Sequence, residues 1–419
     1  MSASQSAKAV PIAVLLSRFP SVTETFILRE LIEMELRGQR VRLVPMIKES
    51  PPVIHQEAKP WTSRALYTPF LSPRIWLANL RAAARQPIRY WSLLLRLMAG
   101  TIARPSTFVR TVAVFPKSVF IAEQLKREGV RHIHAHYATH PATMALIVAT
   151  LSPITFSFTV HAHDIQVDRS LLRWKLREAR FIRSISDFNR RFLEKLYPRE
   201  ATGKIEVIHV GIDPSMYQSA AGSPALHAGV PLIVCVAAHK PYKGLPVLIE
   251  ACRILRDANV KFRCEVIGHG PMRDALDRMV KEKGVADVIA LVGPKPQDEV
   301  ARKMAAAAFF VLPSIIAGDG QMEGIPVSLM EAMASGRAVI STPISGIPEL
   351  IDDGVTGFLV PPADPIALAR AMQTLLASPD RAREMGERGR RKVRAEFELG
   401  DTVSRLMARL ERENVAVES

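Results

Sequence analysis

The chain has 419 residues, too many for one ordinary hydrophobic core and enough for two or three domains. Its 48% hydrophobic and 23% charged content is an ordinary globular balance. Its three cysteines, Cys235, Cys252 and Cys264, form neither a Cys-x-x-Cys pair nor an even framework, so reduced thiols in a cytoplasmic protein are expected rather than a disulfide scaffold. The net charge of +15 suits solubility, an anionic membrane surface, an anionic substrate or nucleic acid. No zinc finger or aromatic-basic RNA-recognition strand accompanies the charge, so no nucleic-acid partner is expected.

The opening, MSASQSAKAVPIAVLL, lacks a basic n-region and reads as a short tail entering a strand rather than a signal peptide. No run reaches the roughly 18 apolar residues of a membrane span. Short apolar runs then alternate with helical patterns. Strands are expected at 11–16, 41–47, 131–136, 154–160, 180–185 and 205–210, with helices at 23–37, 107–128, 141–150 and 186–197. In 74–110, Arg74, Arg81, Arg85, Arg89, Arg96, Arg104 and Arg110 interleave with Trp76, Leu77, Leu80, Trp91 and Leu95. That mix suits a basic amphipathic region at an anionic membrane surface, and equally a helix packed on its own domain with a solvated basic face.

Residues 211–230 are small, polar and rich in Pro and Gly, and read as a linker. After them strands are expected at 231–237, 262–267, 287–292, 308–312, 338–341 and 357–360. Helices are expected at 244–257, 271–283, 297–306, 326–335, 365–377 and 380–394, and an amphipathic one at 400–413. The rhythm predicts an α/β protein with two doubly wound parallel sheets facing each other across a cleft, whose ligands bind beyond the carboxyl ends of strands. The boundaries expected are 1–212 for an N-terminal acceptor-binding domain, 213–229 for the linker and 230–395 for a nucleotide-sugar-binding domain. Residues 396–419 are expected to form a helix folding back on the first.

Chemistry concentrates in GDGQMEGIPVSLMEAMASGRAVISTPISGIPELI, residues 318–351. A helix is expected from Pro326 to about Gly336, with Glu323 just ahead of it and Glu331 roughly 7 Å along its axis. A helix N-terminus offers free N–H groups to phosphate, Gly324 admits close approach, and two carboxylates can each accept from a diol. The bland alternative is a capping Glu323 and a solvated Glu331. His161 ends the strand of FTVHAHDI, where loops carry function, and Asp164 beside it either orients the imidazole or caps the following turn. His132, His134 and His136 alternate along one strand; a metal site there lacks carboxylate or Cys partners, so acceptor or structural roles rank first. Thr23 and Glu24 read as acceptor-side or helix-capping residues.

EGIPVSLMEAMASG resembles the E-x7-E signature of retaining GT-B glycosyltransferases, those of glycosyltransferase family 4. PYKGLPVLIEA at 241–251, VIGHGP at 266–271 and SGIPELIDDGVTGFLVPP at 345–362 resemble that family's donor-phosphate loop, Gly-x-Gly-Pro loop and closing segment. SRFPSVTETFILRELIEMELRGQRV at 17–41, HIHAHYATHPATMA at 132–145 and FTVHAHDI resemble its exopolysaccharide and colanic-acid subgroup. The resemblance implies that Glu331 binds the ribose, Glu323 the donor sugar, and Lys243 with Gly244 the diphosphate. It places Gly268 and Gly270 near the base, Gly324, Ile325, Pro326 and Val327 along the sugar and diphosphate, and His161 under the reacting sugar. Asp164 joins His161 and Glu323 as the expected catalytic group. The family often carries an Arg five residues before the Lys; here that position is Ala238, followed by His239 and Lys240. Either Lys240 substitutes, or one cation suffices.

The resemblance implies a metal-independent sugar transfer with retained configuration and no cofactor, since no Asp-x-Asp metal motif is present. A nucleotide sugar is the donor. The acceptor is a saccharide, lipid-linked, in exopolysaccharide, capsule or lipopolysaccharide assembly on the cytoplasmic face of the plasma membrane. The competing readings are a nucleotide-sugar epimerase or hydrolase on the same architecture, and an inactive membrane-surface scaffold.

Overall fold

The computed structural model describes residues 10–21, 25–50, 56–70, 72–217 and 229–415. Thr23 and Glu24 lie outside the described residues, as do positions 218–228 of the segment read as a linker. Contacts divide the chain into two compact units. The first gathers the described residues up to 185, 189–208 and 402–415; the second gathers 186–188 and 209–401.

Runs rich in Val, Ile and Phe make strands covered on both faces, as a parallel sheet requires. In the first unit these are β1 (Ile12–Phe19), β2 (Val41–Lys48), β3 (His132–His136), β4 (Thr155–Val160), β5 (Ile182–Ser184) and β6 (Ile205–Val207). They pair in parallel in the order β2-β1-β3-β4-β5-β6. The second unit holds β7 (Leu232–Val236), β8 (Arg263–Ile267), β9 (Ile289–Gly293), β10 (Phe309–Val311), β11 (Val339–Ser341) and β12 (Gly357–Leu359). Their order is β12-β11-β10-β7-β8-β9, again all parallel. The sheets reverse direction of growth between β1 and β3 in one unit and between β7 and β10 in the other. Such switch points open a crevice for ligands at the carboxyl ends of the strands.

Proline sets the start of many helices, because its missing N–H falls where a helix has no acceptor for one. Pro73, Pro87, Pro105, Pro365 and Pro379 each begin a helix in this way. The basic stretch after residue 73 forms the helices Pro73–Arg85 and Pro87–Ala99 and enters Pro105–Arg127. Their inner face buries Ile75, Ala78, Leu93 and Leu97. The buried Asn79 locks it, accepting from Tyr90 Oη at 3.0 Å and donating to the Pro116 carbonyl at 2.9 Å. Trp76, Leu80, Ile88, Trp91 and Leu95 remain exposed on the outside. The last helix, Leu399–Val415, joins the first unit from residue 402, where Arg37 Nη1 donates to Ser404 Oγ at 2.6 Å and the Arg409 guanidinium lies 4.5 Å from the Phe181 ring centre.

Part of the presumed linker is ordered. Ile212 pairs with Glu398, and the short 3-10 turn Pro214–Tyr217 buries Tyr217 to 1% exposure. The helices Lys59–Arg64 and Leu172–Glu178 were not expected either. Each is under two turns or close to it, too short for an apolar period to show.

Candidate active site

In the second unit, the loops after β7 and β10 flank the switch point, and they bring together two residues eighty positions apart in the sequence. Lys243 closes the 3-10 turn Pro241–Lys243, and its Nζ forms an ion pair with Glu323 Oε1 in the loop after β10. The side chains are 13% and 11% exposed, so little water screens the pair. Tyr242 lies beneath, its ring centre 5.4 Å from Lys243 Nζ and 5.9 Å from Lys240 Nζ. Burial, then the Glu323 charge, pushes its phenol up to about 12, so it stays a neutral surface for both cations.

Gly244 is required here. Its φ is +67°, and a Cβ would stand 1.8 Å from the Pro313 carbonyl oxygen. Without it the helix Leu245–Asp257 cannot start against the β10 loop. Gly268 and Gly270 serve a similar close approach after β8: a Cβ would stand 2.0 Å from the Ala237 carbonyl oxygen and 2.8 Å from the His239 backbone. They let the His269 carbonyl accept the His239 amide at 3.1 Å, which pins the segment Ala238, His239, Lys240. His239 is fully buried, and neither of its ring nitrogens has a hydrogen-bond partner among the described residues.

The signature helix runs Val327–Ala334 with Pro326 as its N-cap. It ends in a Schellman turn: Gly336 N donates to Met333 O and Arg337 N to Ala332 O, with Gly336 at φ +71°. The amides of Gly324, Ile325, Val327 and Ser328 make no hydrogen bond among the described residues. They form a cluster of free donors at a helix N-terminus, next to the Lys243–Glu323 pair, and that is the chemistry of an anion site. Glu331 sits one turn inside, and its Oε1 accepts from Tyr217 Oη at 2.6 Å. Gln297 Nε2 in turn donates to Tyr217 Oη at 3.2 Å. Sequence reasoning missed Tyr217 and Gln297; the only trace was a single aromatic residue in an otherwise small, polar stretch.

In the first unit, β3 and β4 lie in register, with His132 opposite Thr155, His134 opposite Ser157 and His136 opposite Thr159. The histidines and hydroxyls interleave as a ladder. His132 contacts Thr155 Oγ1 and Ser157 Oγ at 2.7 Å each, and His134 contacts Ser157 Oγ at 2.8 Å and Thr159 Oγ1 at 2.7 Å. Phe181 stacks on both rings. Burial first, then the charges of Arg180 and Arg409, pushes His132 down to about 3; burial likewise holds His134 far below its ordinary value. These are neutral structural imidazoles. No metal-binding cluster is found among the described residues.

The ladder's upper end is different. His161 follows β4 at 7% exposure, under the Tyr137 ring (4.4 Å between centres) and beside Phe26 (5.5 Å). Tyr137 holds φ +76°, a costly conformation for a bulky residue and one that gathers at functional sites. Burial, then His136 and Arg183, pushes His161 well below its ordinary value. Asp164 is 1% exposed and fully occupied by backbone: Oδ1 accepts from His161 N (3.0 Å) and Ala162 N (2.8 Å), and Oδ2 from Ala138 N (2.8 Å). It clamps the loops after β3 and β4 together. Lys175, also buried, bonds the carbonyls of Ala138 and Thr139 from the other side at 2.6 and 3.1 Å. His163 is exposed.

A family model described as "Glycosyl transferases group 1" matches residues 221–392, and one described as "Glycosyltransferase Family 4" matches 99–216. WcaL of Escherichia coli K12, a glycosyltransferase provisionally assigned to colanic acid biosynthesis, is 31% identical over 418 residues, covering 92% of this chain and 96% of WcaL. The amylovoran biosynthesis glycosyltransferase AmsK of Erwinia amylovora is 45% identical over 173 residues, 41% of this chain and 42% of AmsK. Among solved structures, a sucrose-phosphate synthase from Thermosynechococcus elongatus aligns at TM-score 0.71 and 19% identity, covering 97% of this chain and 99% of that one. HepE of Anabaena, solved with UDP, aligns at TM-score 0.68 and 14% identity, covering 96% and 99%. The structural likeness gives the fold, GT-B, and the near end-to-end relative together with the matched models gives the family: this chain belongs to glycosyltransferase family 4.

Proposed function

We propose that this glycosyltransferase takes its sugar from a nucleotide-sugar donor and transfers it, with retained configuration and without a metal ion, to a saccharide acceptor in exopolysaccharide, capsule or lipopolysaccharide assembly. The observation that carries the donor site is the cluster of free amides at the N-terminus of Val327–Ala334, with Lys243 and Glu323 beside it and Glu331 held by Tyr217. In this reading Lys243, supported by Lys240 over the same Tyr242 ring, takes the place of the missing Arg at Ala238 and neutralises the diphosphate. Lys243 leaves Glu323 for the phosphate when donor binds, and Glu323 then accepts from a sugar hydroxyl. Glu331 accepts from the ribose. The complexes of HepE with UDP and with UDP-glucose, and the exopolysaccharide names of WcaL and AmsK, favour the same donor class and pathway.

The bond between the sugar's anomeric carbon and the diphosphate oxygen breaks, and the nucleoside diphosphate departs with the electron pair. The acceptor hydroxyl forms its bond on the same face and passes its proton to the departing phosphate oxygen. The charge growing on that oxygen is met by Lys243 and the free amides, which gain more in the transition state than in the ground state. His161 accompanies the reacting sugar. Asp164, with both oxygens on backbone amides, is assigned a positioning role in place of the catalytic one expected from its neighbourhood.

A lipid-linked acceptor would be met at an anionic membrane surface. The outer face of Pro73–Arg85 and Pro87–Ala99 suits that: Trp76, Leu80, Ile88 and Leu95 are each more than 60% exposed, and residues 73–112 carry arginines but no Asp or Glu. No described helix is long and apolar enough to cross a membrane. Sedimentation with phosphatidylglycerol vesicles, and not with phosphatidylcholine vesicles, is the expected result; equal binding to both, or to neither, refutes this surface.

The donor reading is tested by thermal shift with UDP-, GDP-, ADP- and dTDP-sugars, with and without Mg²⁺, on wild type and Glu331→Ala. A shift with one nucleotide, independent of Mg²⁺ and lost in the variant, supports it. No shift with any nucleotide favours the inactive scaffold, and turnover of donor without acceptor favours the epimerase or hydrolase.

A further inference from the structure

Four buried side chains of the first unit form a line, and three of them, Arg183, Glu30 and His136, take no part in the transfer chemistry above. Arg183 on β5 is 1% exposed, and its Nη1 stands 2.5 Å from Glu30 Oε2. Glu30 belongs to the helix Thr25–Leu36 and is 4% exposed on the face that also buries Ile27, Leu31 and Met34. Its Oε1 lies 3.2 Å from His136 Nε2. His136 Nδ1 lies 3.4 Å from His161 Nε2. The line therefore runs from a buried guanidinium, through a carboxylate and one imidazole, to the imidazole at the mouth of the loops.

The direction of every bond in this line follows from the two ends. Burial pushes the Glu30 carboxyl up, but the Arg183 charge and the His136 bond outweigh it, so the carboxylate is ionised and accepts only. Arg183 already balances that charge. His136 Nε2 faces an acceptor-only carboxylate and so carries a proton; in the neutral ring Nδ1 is then a bare lone pair. Only an N–H can satisfy that lone pair, and His161 Nε2 is the group facing it.

We propose that Glu30 and His136 are positioning residues that fix His161 as its Nε2-protonated tautomer, so that His161 Nδ1 presents a lone pair to a substrate hydroxyl. His161 then accepts a hydrogen bond from the sugar and does not donate one. A ring held in the opposite tautomer would meet that hydroxyl with an N–H. Tyr137 and Phe26 hold the ring plane, and the Glu30 line selects the proton. The final step, contact with a sugar hydroxyl, rests on the function proposed above; the tautomer does not.

The two are separable by experiment. Two-bond 1H–15N correlation spectra of the full chain labelled with 15N-histidine distinguish the two neutral tautomers and the imidazolium, and the spectrum of His161→Gln identifies the His161 signals. At neutral pH both His136 and His161 are expected as Nε2–H tautomers. In Glu30→Gln, Arg183 still demands an acceptor, so the amide oxygen turns to it and the NH2 faces His136. That reverses each bond in turn, and both histidines are expected to switch to Nδ1–H. If Glu30→Gln does not fold, His136→Leu removes the acceptor facing His161, whose tautomer is then expected to lose its bias. An Nδ1–H His161 in wild type, or a His161 pattern unchanged in these variants, overturns the proposal whether or not the protein transfers sugar. In a transfer assay with the donor identified by thermal shift, Glu30→Gln is expected to lower kcat by about tenfold, the equivalent of one hydrogen bond, while the nucleotide-induced shift stays as in wild type. Loss of the nucleotide shift along with kcat would assign Glu30 to general stability instead.

Discussion

The buried Lys243–Glu323 pair is a stability element of the second unit, and its removal has a calculable consequence. At 13% and 11% exposure the two charges are held mostly out of water. Taking away one partner of such a pair leaves the other buried and uncompensated, at a cost of roughly 3–5 kcal/mol. For a unit of this size each kcal/mol lowers Tm by about 2–4 °C, so Lys243→Met is expected to lower the transition of the second unit by about 6–20 °C. Replacing both groups by apolar side chains of similar volume removes the orphan, and the double variant Lys243→Met with Glu323→Leu is expected to recover most of that loss. Differential scanning calorimetry is the suitable assay, because it can resolve the transitions of two units. Both variants are expected to lose the nucleotide-induced shift, so the double variant would combine near-wild-type stability with no donor binding. A Lys243→Met protein melting within about 2 °C of wild type, or a double variant no more stable than the single, would refute the claim that the pair is buried and coupled.

Tyr217→Phe removes the hydroxyl that donates to Glu331 at 2.6 Å; a hydrogen bond to a charged group contributes about 1.5–3 kcal/mol, and a loss of that size in urea denaturation is expected together with weaker nucleotide binding by calorimetry. Gly244→Ala meets both a positive φ and a Cβ position 1.8 Å from the Pro313 carbonyl oxygen, so loss of soluble protein, or a Tm fall beyond the ~1 kcal/mol of an ordinary Gly change in a loop, is expected on expression and melting. His132 is held neutral with its folded value pushed down to about 3, so the unfolded chain binds the extra proton first and stability falls as pH drops from 6.5 toward 3. His132→Gln forfeits ladder bonds at pH 7 but not this proton, so its stability deficit is expected to shrink by about 3 kcal/mol between pH 6.5 and pH 4, measured by urea denaturation at each pH.

The sheets were legible because their period is written on both faces. Buried parallel strands such as ITFSFTV and PLIVCVA are continuous apolar runs between helical patterns, and the observed strands fall within three residues of the expected ends. Short helices were invisible for the opposite reason: Leu172–Glu178 is too brief to display a period. Turn chemistry fared better where one residue type fits. Pro326 ahead of the signature helix and Gly336 after it set both ends near their expected places.

The candidate site was legible where residue type implies chemistry and obscure where an ordinary residue acts through a neighbour. Glu323, Glu331, Lys243 and His161 stood out as charges or imidazoles in apolar segments, Glu323 and Lys243 each beside a glycine, and the fold brings those two together as an ion pair. Tyr217 did not stand out, because a lone tyrosine in a small, polar stretch carries no period. Glu30 did leave a signal. Ile27, Glu30, Leu31 and Met34 fall at i, i+3, i+4 and i+7, the apolar face of an amphipathic helix, and a carboxylate on that face must find a buried cation. Arg183, inside the strand pattern RFIRSI, is that cation, for a central parallel strand has no solvent face on which to hide a guanidinium. The rule that reads Glu331 as functional because it interrupts a hydrophobic helix applies with equal force to Glu30. The difference lies in the partner: Glu331 accepts from the Tyr217 hydroxyl, whereas Glu30 meets a guanidinium and an imidazole, is neutralised from within and can pass on only the direction of a proton.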